Sequence, residues 1–346
     1  MRAADKLFGS VTPIFTPFRG GEVDYDLYGK LVDRHVEAGG HGVLVNGTTG
    51  EPSLLSVAER NRLVDVAVTA VRGRGTVVAA TGSQSLAETH ALSDYATQAG
   101  VDALLVVTPY YVRPPQRGLV EYYVELARRT PLPVLVYHIP GRAAVSVTLD
   151  TFEQMIARAP NIVGMKHAVN DLGFVTQCLA KFGPAFRVFV GLEELSFPML
   201  CIGACGLMNA VGNLAPRKVA ELYEATARGD FPRGRELHFE LLELNQAVFY
   251  DTNPIPIKYM ARRLGIVDRN EHRLPMLPAT EELERRLDQV QDHQAPKPTP
   301  SFDFSADQLN LTPCRLSMCT IRSDFASLST SARNRLRVAA ACHISI

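Results

Sequence analysis

The sequence predicts an α/β fold, a (β/α)₈ TIM barrel with additional C-terminal helices, and three observations carry that prediction. Eight short runs of β-branched or apolar residues recur between residues 10 and 211. Between them lie stretches whose apolar residues fall at three- and four-residue spacing, the pattern of helices covering a sheet. No GxGxxG fingerprint follows any of the runs, which favours a closed barrel over an open, doubly wound sheet.

In chain order the runs fall at residues 10–15, 42–46, 76–81, 103–108, 134–139, 162–166, 187–190 and 206–211. They are short and apolar on both faces, as parallel strands buried between a barrel interior and a helical shell should be. Residues 25–38, 57–71 and 86–99 are clear amphipathic crossovers. Four more helical stretches follow the last run, near 216–228, 233–250, 255–264 and 280–291. The first is expected to close the barrel and the others to form an added layer. The predicted organisation is therefore a barrel over residues 1–230, a helical layer over 231–291, and a tail over 292–346. That tail turns to Pro, Ser, Thr and Arg with weak periodicity, and is expected to be disordered or atypical.

A chain of 346 residues with 46% hydrophobic content supplies one large core plus extensions. The 36 basic residues balance the 36 acidic ones, so no net field attracts nucleic acid or an anionic membrane. A small-molecule partner is expected instead. The six cysteines show neither CxxC pairing nor metal-ligand spacing and are expected to be reduced thiols. The amino terminus has no secretory apolar run, which predicts a cytoplasmic protein. Residues 195–216 carry no charge, but their glycines and prolines favour a buried helix and strand over a membrane span.

In a barrel the chemistry sits at the carboxyl ends of the strands, and these ends are unusually polar here. The second run leads into Gly47-Thr48-Thr49-Gly50-Glu51, the fourth into Thr108-Pro109-Tyr110-Tyr111, the fifth into Tyr137-His138-Ile139-Pro140-Gly141-Arg142, and the sixth ends in Lys166-His167. Of seven lysines, Lys166 alone terminates an apolar strand. Desolvation there favours the neutral amine that attacks a carbonyl, the requirement for a Schiff base. The alternative is that Lys166 pairs with Glu193 or Glu194. Tyr137 with Thr48 or Thr49 offers a route for the protons that imine formation must move, and Arg142 offers a fork for a carboxylate. His138 and His167 end adjacent strands but lack a third ligand at metal-site spacing. P-loop, zincin and hydrolase motifs do not occur.

Together these strand ends resemble the dihydrodipicolinate synthase and N-acetylneuraminate lyase family over about residues 7–290. The likeness rests on Gly47 to Glu51, on Thr108 to Tyr111 followed by Arg113-Pro114, on Tyr137 with Pro140-Gly141-Arg142, on Gly164-Met165-Lys166, and on Asn253-Pro254-Ile255-Pro256-Ile257-Lys258. The paired threonines are similar to the synthase branch. The resemblance implies a pyruvate imine on Lys166, a proton relay through Tyr137, Thr48 or Thr49, and Tyr111, and substrate contacts at Thr49, Arg142, Gly191 and Met208. Tyr111 would cross into a neighbouring subunit's site in a homo-oligomer, a dimer or tetramer. No metal or cofactor is called for. The implied reaction joins pyruvate to aspartate semialdehyde on the route to lysine. The rival readings are an aldolase or dehydratase acting on a 2-keto-3-deoxy sugar acid, and a non-catalytic 2-oxo acid sensor. His167, Ala143-Ala144 and Asn209 depart from the family's usual residues.

Overall fold

Eight parallel strands close on themselves in the computed structural model, which describes residues 3–294. They are β1 (Gly9–Pro13), β2 (Gly42–Val45), β3 (Thr76–Ala80), β4 (Ala103–Val107), β5 (Val134–His138), β6 (Ile162–His167), β7 (Arg187–Val190) and β8 (Gly206–Leu207). Each pairs with its neighbours in chain order, and β1 closes the ring by pairing with both β2 and β8. The predicted (β/α)₈ barrel is the fold observed. Side chains alternate along each strand. One set, including Val11, Leu44, Val78, Leu105, Leu135 and Phe189, fills the barrel interior. The other set, including Val43, Val77, Leu104, Val136 and Met165, packs against the surrounding helices.

Those helices are α1 (Tyr25–Glu37), α2 (Val57–Val71), α3 (Leu86–Ala99), α4 (Gln116–Arg129), α5 (Leu149–Arg158), α6 (Leu172–Phe182), α7 (Ser196–Cys201) and α8 (Pro216–Ala227). Their starts are written in the sequence. Ser56 and Glu59 form a capping box on α2, and Asp24, Ser85, Thr148 and Asp171 each cap a helix by accepting a backbone N–H. The helical layer follows as α9 (Phe231–Glu240), α10 (Leu242–Ala247), α11 (Ile255–Arg263) and α12 (Glu281–Gln294).

Three details differ from expectation. The stretch at 233–250 is two helices, interrupted by a turn at Leu241. The eighth strand stops at Leu207 and a 3₁₀ turn (Ala210–Asn213) replaces its predicted second half. The backbone N–H of Ala210 bonds to the carboxylate of Glu193 at 2.5 Å, so it has no strand partner. Helix α12 also runs through residues 292–294. The rest of the predicted tail, with Cys314, Cys319 and Cys342, lies outside the described residues. Cys178, Cys201 and Cys205 are free thiols. The uncharged stretch at 195–216 holds the six-residue α7, the two-residue β8 and the 3₁₀ turn at Ala210–Asn213, and no described helix is long and apolar enough to cross a membrane.

Candidate active site

Strand register decides which end residues face inward. On β5, Leu135 belongs to the interior cluster, so Tyr137 two residues later shares its face. Tyr137 is paired with Lys166 and Leu135 with Gly164 across to β6, which brings Lys166 to the same interior position. Gly164 permits this close approach, because a Cβ there would lie 1.9 Å from the carbonyl oxygen of Arg187. Lys166 is only 4% exposed. Its Nζ sits 4.6 Å from the centroid of the Tyr137 ring. It makes no hydrogen bond or ion pair with any described residue.

The carboxylate alternatives for Lys166 do not form. Glu194 is exposed, and buried Glu193 accepts instead from the backbone N–H groups of Ala210 and Val211. Burial pushes the Glu193 carboxyl up to about 7 against the lowering influence of those N–H groups and of Lys166. Glycine at 191, just past β7, makes room for the lysine: a Cβ would stand 2.8 Å from Lys166 Cε. Met208, after β8, is buried in the interior cluster with Tyr137 and Phe189.

The threonine turn (Thr48–Gly50) sits above β2. Thr48 Oγ1 and the Tyr137 hydroxyl are 3.2 Å apart, a hydrogen bond that joins the turn to the tyrosine. Thr49 Oγ1 accepts from Asn253 Nδ2 at 3.0 Å, which leaves the Thr49 hydroxyl hydrogen free to donate elsewhere. A cavity of about 620 Å³ opens at this end of the barrel, lined in part by Thr48, Glu51, Tyr110, Tyr137, Arg142 and Asn253. Arg142 lies on a single helical turn (Pro140–Ala143), is exposed, and has no bonding partner among the described residues. An unpaired guanidinium at the mouth of a cavity is a receptor for a planar anion such as a carboxylate.

Lys166, Tyr137, Thr48, Thr49, Arg142, Gly191 and Met208 therefore gather at one end of the barrel. Tyr111 does not join them within one chain. It is 90% exposed and holds a left-handed backbone at φ 71°, while its neighbour Tyr110 lines the cavity. Sequence reasoning did not foresee the hydrogen bond from Asn253, nor the titrating position of Glu193. The first was carried in the Asn253 to Lys258 motif, whose partner lies some two hundred residues away.

Directly behind the site, His138 and His167 face outward from β5 and β6 with their Nδ1 atoms 3.2 Å apart. They bond to each other and pack on Phe174. Burial, aided at His138 by the neighbouring ring, pushes both down to about 4, and burial does the same to His35. A base held below its unfolded value of 6.5 favours the fold above that pH, and this contribution is lost as the pH falls towards 4. Glu193 acts oppositely, its raised value disfavouring the fold as the pH climbs from 4.5 towards 7. Three histidines outweigh one acid, so stability should fall by on the order of a few kcal/mol between pH 7 and pH 5. Urea midpoints at the two pH values check this, and an equal or higher midpoint at pH 5 would contradict it.

A closed barrel with a buried, unpaired lysine at a strand end, a tyrosine and threonine bonded beside it and a free arginine at the mouth defines a lyase of the Schiff-base class. The chain belongs to the Dihydrodipicolinate synthetase family, whose model matches residues 6–294. A Thermus thermophilus protein named 4-hydroxy-tetrahydrodipicolinate synthase is 44% identical over 280 residues, covering 81% of this chain and 93% of that protein. An Aquifex aeolicus protein of the same name is 37% identical over 282 residues, covering 82% and 96%. The crystal structure of dihydrodipicolinate synthase from Aquifex aeolicus is similar with a TM-score of 0.81 at 36% identity, over 83% of this chain and 98% of that one. The chloride-inhibited enzyme from Acinetobacter baumannii, complexed with pyruvate, is similar with a TM-score of 0.80 at 31% identity, over 83% and 99%.

Proposed function

We propose that the protein is a 4-hydroxy-tetrahydrodipicolinate synthase that condenses pyruvate with aspartate semialdehyde through an imine on Lys166. The observation that carries this reading is the unpaired Lys166 nitrogen beside the Tyr137–Thr48 hydrogen bond. The names of the relatives and the pyruvate complex among the similar structures support it.

The lysine's neutral amine attacks the ketone carbon of pyruvate, and the resulting carbinolamine loses water to give the protonated imine. The imine nitrogen then serves as the electron sink while the pyruvate methyl gives up a proton. The enamine so formed attacks the aldehyde carbon, whose oxygen takes up a proton, and the amine of the aspartate semialdehyde unit then attacks the regenerated imine carbon, closing the ring and releasing Lys166 as the free amine. Each step moves a proton over a short distance, and the Tyr137 hydroxyl with Thr48 supplies the carrier. Thr49, whose hydroxyl hydrogen is left free by Asn253, donates to the pyruvate carboxylate. Gly191 and Met208 shape the pocket around the reacting carbons, and Arg142 receives the carboxylate of the aldehyde. A second copy of the chain completes the relay with Tyr111, whose exposure and strained backbone are those of a residue held by contacts outside its own subunit. The protein then works in the cytoplasm as a dimer or tetramer.

Reduction with borohydride in the presence of pyruvate tests the central step. The imine should become a stable secondary amine on Lys166, found by peptide mass mapping. No adduct, or an adduct on another lysine alone, would remove the proposal. Arg142→Ala should raise KM for the aldehyde about tenfold or more while leaving pyruvate trapping intact, since a charge-assisted pair contributes about 1.5–3 kcal/mol. Equal loss of trapping would assign Arg142 to structure.

A further inference from the structure

The threonine turn is gripped from the helical layer at a second point. Glu51, two residues beyond Thr49, has a left-handed backbone with φ 55° and ψ 43°. A non-glycine residue keeps such a conformation only where its surroundings over-determine it. Its side chain is 2% exposed and meets Lys258 of α11, itself 1% exposed, with Oε2 to Nζ at 2.5 Å. Lys258 also donates to the carbonyl of Glu271 at 3.1 Å and lies 4.3 Å over the ring of Phe18. The His272 ring nitrogen Nδ1 approaches the other Glu51 oxygen at 3.5 Å.

A fully buried ion pair gives little net stability over apolar residues of similar volume, because both charges lose their hydration. Its use here is geometric. One short segment, Asn253 to Lys258, reaches the turn twice, bonding Thr49 through Asn253 and Glu51 through Lys258. Two fixed points on either side of Gly50 leave the turn one position. That position sets the 3.2 Å contact between Thr48 Oγ1 and Tyr137.

We propose that Lys258 and Glu51 are positioning residues for the proton relay, a buried ion pair by which α11 holds the Thr48-Thr49 turn against Tyr137. This rests on the reading of Thr48 and Tyr137 as the relay. Both side chains are almost fully buried against each other, and the pair acts through the turn.

The test is a cycle of variants in the full chain. Removing both charges, Glu51→Gln with Lys258→Met, should lower kcat about tenfold to a hundredfold, the cost of a displacement of about 1 Å in a reacting array. KM for pyruvate should change by less than about threefold, because Asn253 still holds the Thr49 hydroxyl that meets the carboxylate. In a Thr48→Val background, where the relay is already broken, the same pair of substitutions should cost nothing further. A structural role alone would lower the melting temperature and leave kcat per folded molecule unchanged, and that result overturns the proposal. So do losses that simply multiply in the two backgrounds. If the neutral pair does not fold, Lys258→Arg, which keeps the charge and shifts its position, is read in the same cycle. Slowing that vanishes beside Thr48→Val supports the proposal, and unchanged or multiplicative rates overturn it. Borohydride trapping by the unaltered protein separates the two levels. Trapping together with multiplicative losses sinks this inference alone, whereas no trapping removes the site reading and this inference with it.

Discussion

Lys166→Met is expected to lower kcat by at least about 10⁴-fold, the scale on which loss of a covalent nucleophile is felt. Methionine keeps much of the lysine's length and volume, so the space beside Gly191 and the Tyr137 ring stays filled. The substitution should also leave the fold intact. Removing one member of a buried ion pair strands its partner, but Lys166 has no such partner among the described residues. Glu193 feels its charge at longer range, and the Glu193 carboxyl should titrate higher without it. The decisive measurement is the steady-state rate with pyruvate and aspartate semialdehyde, with circular dichroism to verify folding. A folded variant within a hundredfold of the natural rate would mean that catalysis does not pass through an imine at this position.

Much of the arrangement around Lys166 was legible because it depends on local pattern. The runs ending in Tyr137 and Lys166 are short and apolar, and barrel architecture places the ends of such strands at one face. Period-two alternation then puts Tyr137 and Lys166 inside and His138 and His167 outside. The eighth predicted run extends past the observed strand because Ala210 and Val211 are as apolar as a strand. Beyond the strand the Glu193 carboxylate takes the Ala210 N–H, a contact across seventeen residues that periodicity does not encode. The grip of Asn253 and Lys258 on the threonine turn was hidden for the same reason, since their partners lie about two hundred positions earlier. Tyr111 is a different case. Its sequence context marks a strand end, yet the described chain leaves it 90% exposed, and no single-chain pattern says what a second copy would supply.

Tyr137→Phe is expected to slow turnover by about 10²–10⁴-fold, the range for a positioned proton-transfer group. The change removes one oxygen and keeps the ring over which the Lys166 nitrogen sits at 4.6 Å. The interior packing with Leu135, Phe189 and Met208 therefore survives. The lost hydroxyl bonds Thr48 at 3.2 Å, and because that threonine is only half-buried, water can take the vacated place without a large cost in stability. A water there is neither fixed in direction nor held at one distance from the imine. Proton transfer then loses its carrier while the nucleophile remains. The expected signature is a split between two readouts: pyruvate still becomes trapped on Lys166 by borohydride, more slowly, while kcat for the full reaction falls steeply. Losing the adduct altogether in a folded variant would assign Tyr137 to binding pyruvate, and an unchanged kcat would return its hydroxyl to the packing of the barrel.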